Sequence, residues 1–595
     1  PVARTEPGLI GPGVRHRAGA VTQPSCRPRR SLPARRWWWP LGTAVVAATL
    51  SLCYLGAGLW VGPASWRGNA GDPEQIIWFL AAVPHAVAAG HDPFYTDYAF
   101  YPDGANLMWN CALFVPSLLL APVTAVWGPV TSYNLLLVAG PVATSVAAYL
   151  PIRRYVERSL AAAVGALLFG FSPFVVHHAL AGHLHMSSAA LLPILLLLLD
   201  DIAVRQRWPA RRAGAALGLV AVVQLLTAEE ILAIGGLSAM VVLGALAAMY
   251  PRRIRARLGY LGRAGATAAV VFIPLAAYPL WVQLAGRRRA PGPHATNVYV
   301  GDLAGLIRPV GALISLGGST PFSGNAGEST TYLGVPLLVV VVAVAVTCWR
   351  RAVVRVAVVV TVVMSVLALG ERLHVDGHDT GIPLPWALFG QIPLVAEVLP
   401  ARISVAVALA TAILAAVFLD RLAARCRPVL VVLGAVVLAA TVATFVPGPA
   451  PTTTIAVPAF FSSDAIRREV PAGSVAVVLP FTVDPATEPP MLWQAVSGLR
   501  FKMVGGRLLV PHPSPAGNPL FGVVNDQHPG RGPAVTPRRR AQVMTYLRSV
   551  HARVVIIGPM PGRDHVEQTL TEVFDRPADL DGGGVALWRV LPIRR

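Results

Sequence analysis

Eleven apolar stretches, most of them close to 20 residues long, decide what this chain can fold into. They lie near 41–62, 131–150, 159–180, 188–204, 213–228, 231–250, 265–285, 333–349, 352–369, 403–419 and 427–446. A backbone inside a bilayer has no water to bond, so it must satisfy its own polar groups, and about 20 apolar residues in a helix do so while spanning the hydrocarbon. Only 13% of the residues are charged and 55% are hydrophobic, against about 25% charged in ordinary soluble domains. The expected fold class is mainly α: a polytopic membrane helical bundle of about 11 spans. The first run is too long for a signal-peptide core and is read as an anchor. Residues 1–40 before it, rich in Arg, Pro and Gly, read as a disordered basic cytoplasmic tail. The chain opens on Pro1, so its true N-terminus is left open.

The net charge is +20, and Lys502 is the only one of the 49 cationic residues that is not an arginine. The arginines sit in short clusters at alternate connections: Arg153, Arg154 and Arg158; Arg205, Arg207, Arg211 and Arg212; Arg252, Arg253, Arg255 and Arg257; Arg350, Arg351 and Arg355; Arg421, Arg425 and Arg427. This is the pattern by which membrane proteins fix orientation, so these loops are placed in the cytoplasm and nucleic acid is discounted as a partner. Arg287, Arg288 and Arg289 run against the rule on the external side. Leu107–Trp127 would invert the scheme if it crossed, so it is laid on the outer surface, broken at Pro116 and Pro122. The first external loop then runs over 63–130. Within it, Ile76, Leu80, Val83 and Val87 form one apolar stripe, which predicts an in-plane interfacial helix. From about 447 the composition changes. GSVAVVLPF, RVVIIGP and VALWRV read as strands and PRRRAQVMTYLRSVH and DHVEQTLTEVF as helices, giving a soluble α/β domain over 447–595 on the external side. Five cysteines (Cys26, Cys53, Cys111, Cys348, Cys426) show no metal or CxxC spacing, and no disulfide framework is expected.

The chemistry-bearing residues gather on the external face. Asp72 and Glu74 follow the first span; Asp72 as N-cap, Pro73 at N1 and Gln75 at N3 also make a good helix start. A carboxylate held there is ionised and fixed, as a metal ligand or a hydroxyl-orienting base requires. His177, His178, His183 and His185 stand at the outer end of span 3. His183 and His185, two apart after Gly182, could point together from an extended loop toward a metal or a phosphate, the other reading being an interfacial histidine cluster without a ligand. Glu229 and Glu230 interrupt the apolar chain between spans 5 and 6, where ionisable groups are functional candidates, or else mark a short polar turn with both carboxylates in water. Glu328 and Tyr332 precede span 8. Arg402 at the mouth of span 10 is placed to clamp a phosphate bidentately, or to reach lipid phosphate. In the tail, Trp493 and Phe501 are read as buried packing, with an acceptor groove lined by them and Lys502 as the alternative.

Taken together, Gly71-Asp72-Pro73-Glu74 in a long first external loop, the segment Leu180-Ala181-Gly182-His183-Leu184-His185 outside span 3, and the external tail domain resemble the integral-membrane glycosyltransferases of the C type (GT-C). More narrowly, GDPEQIIWFL, YPDGANLMWN, GFSPFVVHHALAGHLH and TAEEIL resemble an actinobacterial branch of that superfamily. The resemblance covers residues 41–446 best. It implies a GT-C-like transmembrane domain there and a polyprenyl-phosphate-linked sugar as donor. It further implies an envelope glycan, lipid or protein hydroxyl as acceptor, and inverting displacement with Asp72 and Glu74 catalytic. Arg402, Glu229, Glu230, Glu328, Tyr332, His177 and His178 would bind substrate, and a divalent metal such as Mg or Mn would sit on Asp72, His183 and His185. In the second motif a histidine stands where the superfamily often has an acid. Two other readings stay open: a transporter or flippase of a lipid-linked precursor, and a non-catalytic envelope scaffold.

Overall fold

The computed structural model describes residues 38–590 except 291–296, 311–321, 390–391, 393–394, 425–427, 482–488, 512–517 and 521–534. Residues 1–37 of the expected tail, Cys26, Cys426, Arg425 and Arg427 lie outside the described residues, whereas Trp38, Trp39 and Pro40, expected in the disordered tail, already belong to the first helix. Among the described residues eight helices are long and apolar enough to cross a membrane: Trp38–Leu55, Pro129–Ile152, Ser159–Ala181, Leu184–Arg205, Glu229–Met249, Pro251–Ala285, Pro400–Ala424 and Pro428–Phe445. The other three expected spans are shorter helices, Ala210–Leu225, Val335–Cys348 and Ala352–Ala368. The chain is a multi-pass membrane protein. Prolines open several of these helices, at Pro129, Pro251, Pro400 and Pro428, where a missing N–H costs nothing because the first turn has no internal partner for it.

Pro400–Ala424 is the hub of the bundle and its most buried span. It packs against Ser159–Gly170 through small residues: a Cβ on Gly165 would lie 2.8 Å from the Ala412 carbonyl oxygen and 2.9 Å from the Ala416 side chain. Backbones approach this closely only where side chains are absent, which is how helices gain dispersion contacts inside lipid.

Leu107–Trp127 does not form one helix. It divides into a 3-10 turn at Leu107–Trp109 and two short helices, Phe114–Leu119 and Ala121–Trp127. The break falls at Leu120, just before Pro122, while Pro116 sits inside the first helix, where its missing N–H is again tolerated near the start.

The Asp72–Ala88 helix departs further from expectation. Every residue from Ile76 to Val83 is buried, so it has no single lipid-facing stripe. Phe114–Leu119 and Pro129–Ile152 cover it on one side, and Pro489–Val496 from the C-terminal region covers it on another. The Trp78 indole donates to Gln494 Oε1 at 2.5 Å. One hydrophobic core therefore joins the first loop to the C-terminal sheet, with Trp78, Phe79, Trp493 and Phe501 all buried in it. That is a packing role for Trp493 and Phe501. Lys502 instead pairs with Asp97 of the first loop.

The C-terminal region holds a five-stranded sheet in the order Leu580–Gly582, Val585–Arg589, Ala552–Ile557, Ser474–Leu479, Phe501–Met503. Three of these strands are the apolar runs named above. Phe501–Met503 and Leu580–Gly582 are too short to leave a run of their own. A further pairing of Ser65–Arg67 with Thr452–Thr454 ties the loop after the first span to the segment after the last.

A cavity of about 740 Å³ opens between six of the membrane helices. It runs from Leu192, Leu232 and Ala406 to Tyr155, Asp200 and Arg205, and is almost wholly apolar along its length.

Candidate functional site

Helix direction places the candidates at one end of the bundle. His178 lies in the last turn of the span that starts just after Arg158, while Arg402 and Glu229 stand at the start of helices that run toward Arg421 and Arg252. The arginine clusters thus occupy the opposite end, where Arg154 bridges Asp200 and Asp201 at 2.9 and 2.7 Å. Two of the exceptional trio are tied into the first loop and the third to its own helix. Arg287 lies over the Tyr95 ring, Arg288 reaches Asp103 at 3.4 Å, and Arg289 caps its own helix at the Leu284 carbonyl.

The start of the Asp72–Ala88 helix differs by one position from the expected cap. Gly71, at φ +105°, is the N-cap, and the Glu74 carboxylate accepts its N–H at 2.6 Å. Glu74 is fully buried in that task. With the cap served by Glu74, Asp72 projects from the first turn. Its Oδ2 accepts from His183 Nε2 at 2.9 Å and its Oδ1 from Arg507 Nη2 at 2.7 Å. About a third of the Asp72 side chain remains exposed. Burial pushes its pKa up, but the His183 hydrogen bond and the His183 and Arg507 charges outweigh burial and hold it below the ordinary carboxylate value.

From His183 the polar contacts continue without a gap. His183 Nδ1 lies 2.9 Å from His178 Nδ1 and 3.5 Å from Glu328 Oε1. Arg402 forks onto Glu328, with Nη2 to Oε1 at 2.5 Å and Nε to Oε2 at 3.0 Å, and donates Nη1 to Glu230 Oε2 at 2.5 Å. Glu230 also accepts the Leu399 N–H at 2.8 Å, and Glu229 accepts from Gln283 Nε2 at 2.8 Å. Glu328, on a short turn outside the spans, feels burial pushing its pKa up and Arg402 pulling it down, and the arginine prevails.

Six of the expected residues, Asp72, His178, His183, Glu230, Glu328 and Arg402, therefore join in one network. Glu229 stands next to it and His177 is buried beside His178. Tyr332 stands apart, packed near Val310 and Phe445. Arg402 differs from expectation in one respect: its guanidinium is spent on two carboxylates rather than turned outward to a phosphate. His183 and His185 also diverge, because Leu184–Ser187 forms a helical turn instead of an extended loop and sets the two rings 5.9 Å apart.

Among the described residues, the metal-ligating atoms that fall within 4.8 Å of one another belong to His178, His183 and Glu328. They stand in place of the expected set of Asp72, His183 and His185. Asp72 reaches the same histidine through its other nitrogen, as outer-shell carboxylates do in metal sites.

Arg507 was missed by sequence reasoning. Its only cue is the preceding Gly505-Gly506 pair, and it enters the site because the C-terminal region shares a core with the first loop. Gly182 is the hinge of the arrangement. Its φ is +87°, and a Cβ there would lie 2.6 Å from Pro73 Cδ. Gly182→Ala is expected to force the histidine turn away from Asp72, lowering thermal stability by about 1–3 kcal/mol and loosening the Asp72–His183 contact. An unfolding temperature equal to wild type would contradict this.

The Arabinofuranosyltransferase AftD from Mycobacteria superposes on 95% of this chain with a TM-score of 0.53 at 15% identity, and the chain spans 40% of that protein's length. ArnT from Cupriavidus metallidurans, bound to undecaprenyl phosphate, aligns over 94% of this chain and 98% of its own at 13% identity and a TM-score of 0.46. AglB from Archaeoglobus fulgidus, in complex with an inhibitory peptide and a dolichol-phosphate, aligns over 88% and 70% at 13% identity and a TM-score of 0.42. No curated protein matches the sequence. The likeness to AftD shows a shared fold. The family described as Domain of unknown function (DUF6311) matches residues 41–444, from the first apolar run through the last helix of the bundle, and the chain belongs to that family.

Proposed function

We propose that this protein is a membrane glycosyltransferase of the GT-C type that moves a sugar from a polyprenyl-phosphate-linked donor to a hydroxyl of an envelope glycan, lipid or protein on the external face. The observation that carries this reading is the continuous polar network from Arg507 and Asp72 to Glu230, whose far end stands about one helical turn above the apolar cavity. Such a cavity suits a polyprenyl chain, and the network suits the headgroup. The fold shared with AftD, an arabinofuranosyltransferase by name, agrees with glycosyl transfer.

In this mechanism the partly exposed Asp72 carboxylate orients the acceptor hydroxyl and takes its proton as the new bond to the sugar's anomeric carbon forms. The bond from that carbon to the phosphate oxygen breaks in the same step, with inversion, and polyprenyl phosphate leaves. His183 and Arg507 fix Asp72 from two sides. His178, His183 and Glu328 fit a divalent cation, which when bound would supply positive charge to the leaving phosphate. Two imidazoles and one carboxylate suit a cation such as Mn better than Mg, which prefers oxygen ligands.

The test uses the full chain reconstituted in liposomes with polyprenyl-phosphate sugars and an envelope-glycan acceptor. Glycosylated product and released polyprenyl phosphate are expected; movement of intact donor across the bilayer without product would favour transport instead. Glu229 and Glu230 occupy the first turn of their helix rather than its middle, which does not favour transport.

A pH prediction follows. Asp72 is held below its ordinary value of 3.8, so its ion pair contributes above that pH and is lost only as pH falls through the lower folded value. In kcat/KM its acid limb lies below 3.8. Arg507→Met is expected to move that limb upward and lower kcat/KM about two- to fivefold, the scale of a part-exposed ion pair. An unmoved limb would remove Arg507 from the site.

A further inference from the structure

A second, smaller cavity of about 60 Å³ lies beside the network, lined by Asn110 and Cys111 of the first loop, His185, and Thr227, Glu229 and Glu230. At roughly 30 Å³ per water it has room for about two waters or a hydroxymethyl-sized group. Its lining is out of balance in two ways. His185 is 5% exposed, yet neither ring nitrogen has a hydrogen-bond partner. A buried imidazole left so is costly, because one nitrogen asks for an acceptor and the other for a donor. The charge is also uneven, since Glu230 shares the Arg402 guanidinium with Glu328 and Glu229 has a neutral amide, that of Gln283, for its hydrogen-bond partner.

A ligand that completes this site must donate hydrogen bonds to carboxylates and both donate to and accept from an imidazole. Sugar hydroxyls do both. A carboxylate or phosphate substituent would face Glu229 and Glu230 at close range and be repelled. Resting on the glycosyltransferase reading above, we propose that the His185–Glu229–Glu230 cavity receives the hydroxyl-bearing edge of the transferred sugar and selects neutral sugars against acidic ones.

The test measures affinity and transfer separately, with full-length protein in detergent and three probes: farnesyl phosphate alone, farnesyl phosphate linked to a neutral pentose, and farnesyl phosphate linked to glucuronic acid. Wild type is expected to bind the pentose conjugate about tenfold tighter than farnesyl phosphate, and the uronic conjugate about 100-fold more weakly than the pentose conjugate, as expected where like charges are brought together. Glu229→Gln, nearly isosteric, is expected to shrink the neutral-to-acidic ratio about tenfold. His185→Ala is expected to lose the gain from the pentose while affinity for bare farnesyl phosphate stays unchanged, which also reports an intact fold. Wild type binding the pentose conjugate no tighter than the bare phosphate, or both variants keeping the wild-type ratio, would overturn the proposal. Binding with the expected selectivity but no transfer to any acceptor would leave the pocket standing and sink the glycosyltransferase reading.

Discussion

Asp72→Asn is expected to lower glycosyl transfer by about 10²- to 10⁴-fold, the range for loss of a positioned general base, while the unfolding temperature in detergent stays close to wild type. The substitution keeps the size of the side chain and one oxygen, which still accepts from Arg507 at the 2.7 Å position, while its amide N–H₂ faces the His183 ring nitrogen 2.9 Å away, which accepts in its other tautomer. It removes the negative charge and the ability to take a proton. Because about a third of the side chain reaches solvent, water screens the change and folding is little affected. Transfer is measured as product formed per unit of reconstituted protein. A variant retaining more than about a tenth of wild-type transfer, below the smallest loss expected of a general base, would show that Asp72 is not the base.

Arg402→Met is expected to act on the fold first. It strands Glu230 and Glu328, which lose three hydrogen bonds from the guanidinium and have little access to water to replace them. Removing one partner from a buried ion cluster costs about 3–5 kcal/mol. Arg402→Lys restores a charge but not the planar fork that meets both Glu328 oxygens, so it recovers only part of the loss. Neutralising the two acids as well, in Arg402→Met with Glu230→Gln and Glu328→Gln, is expected to recover more stability than Arg402→Lys does. Thermal unfolding of the three proteins checks this order. If Arg402→Met alone unfolds at the wild-type temperature, the cluster is not holding the helix ends together.

The membrane bundle was legible in the chain because its signal is additive: runs of about 20 apolar residues report helices whatever their neighbours are. The one-sided gathering of Asp72, His183, Glu230, Glu328 and Arg402 could be read the same way, since arginine clusters mark the other end of each helix. Three things could not be read. The Asp72–Ala88 helix is buried on every side from Ile76 to Val83 because the C-terminal region packs on it, a contact across more than 400 residues of chain. Arg402 turned to carboxylates because Glu230 and Glu328, 172 and 74 residues away, meet it from two other segments. Arg507 carries no motif and came from the far side of the same shared core.

Local pattern therefore determined the kind of protein, the number and rough bounds of its apolar helices, and the face on which chemistry-bearing side chains collect, because period and hydrophobicity act over one or two dozen residues. Tertiary structure alone decided which side chains touch: that Asp72 is held by His183 and Arg507, that His178 and Glu328 share a corner with His183, and that His185 faces a cavity instead. Those pairings depend on how distant segments pack, down to the missing Cβ of Gly182 against Pro73, and packing distances of a few tenths of an ångström leave no trace in spacing along the chain.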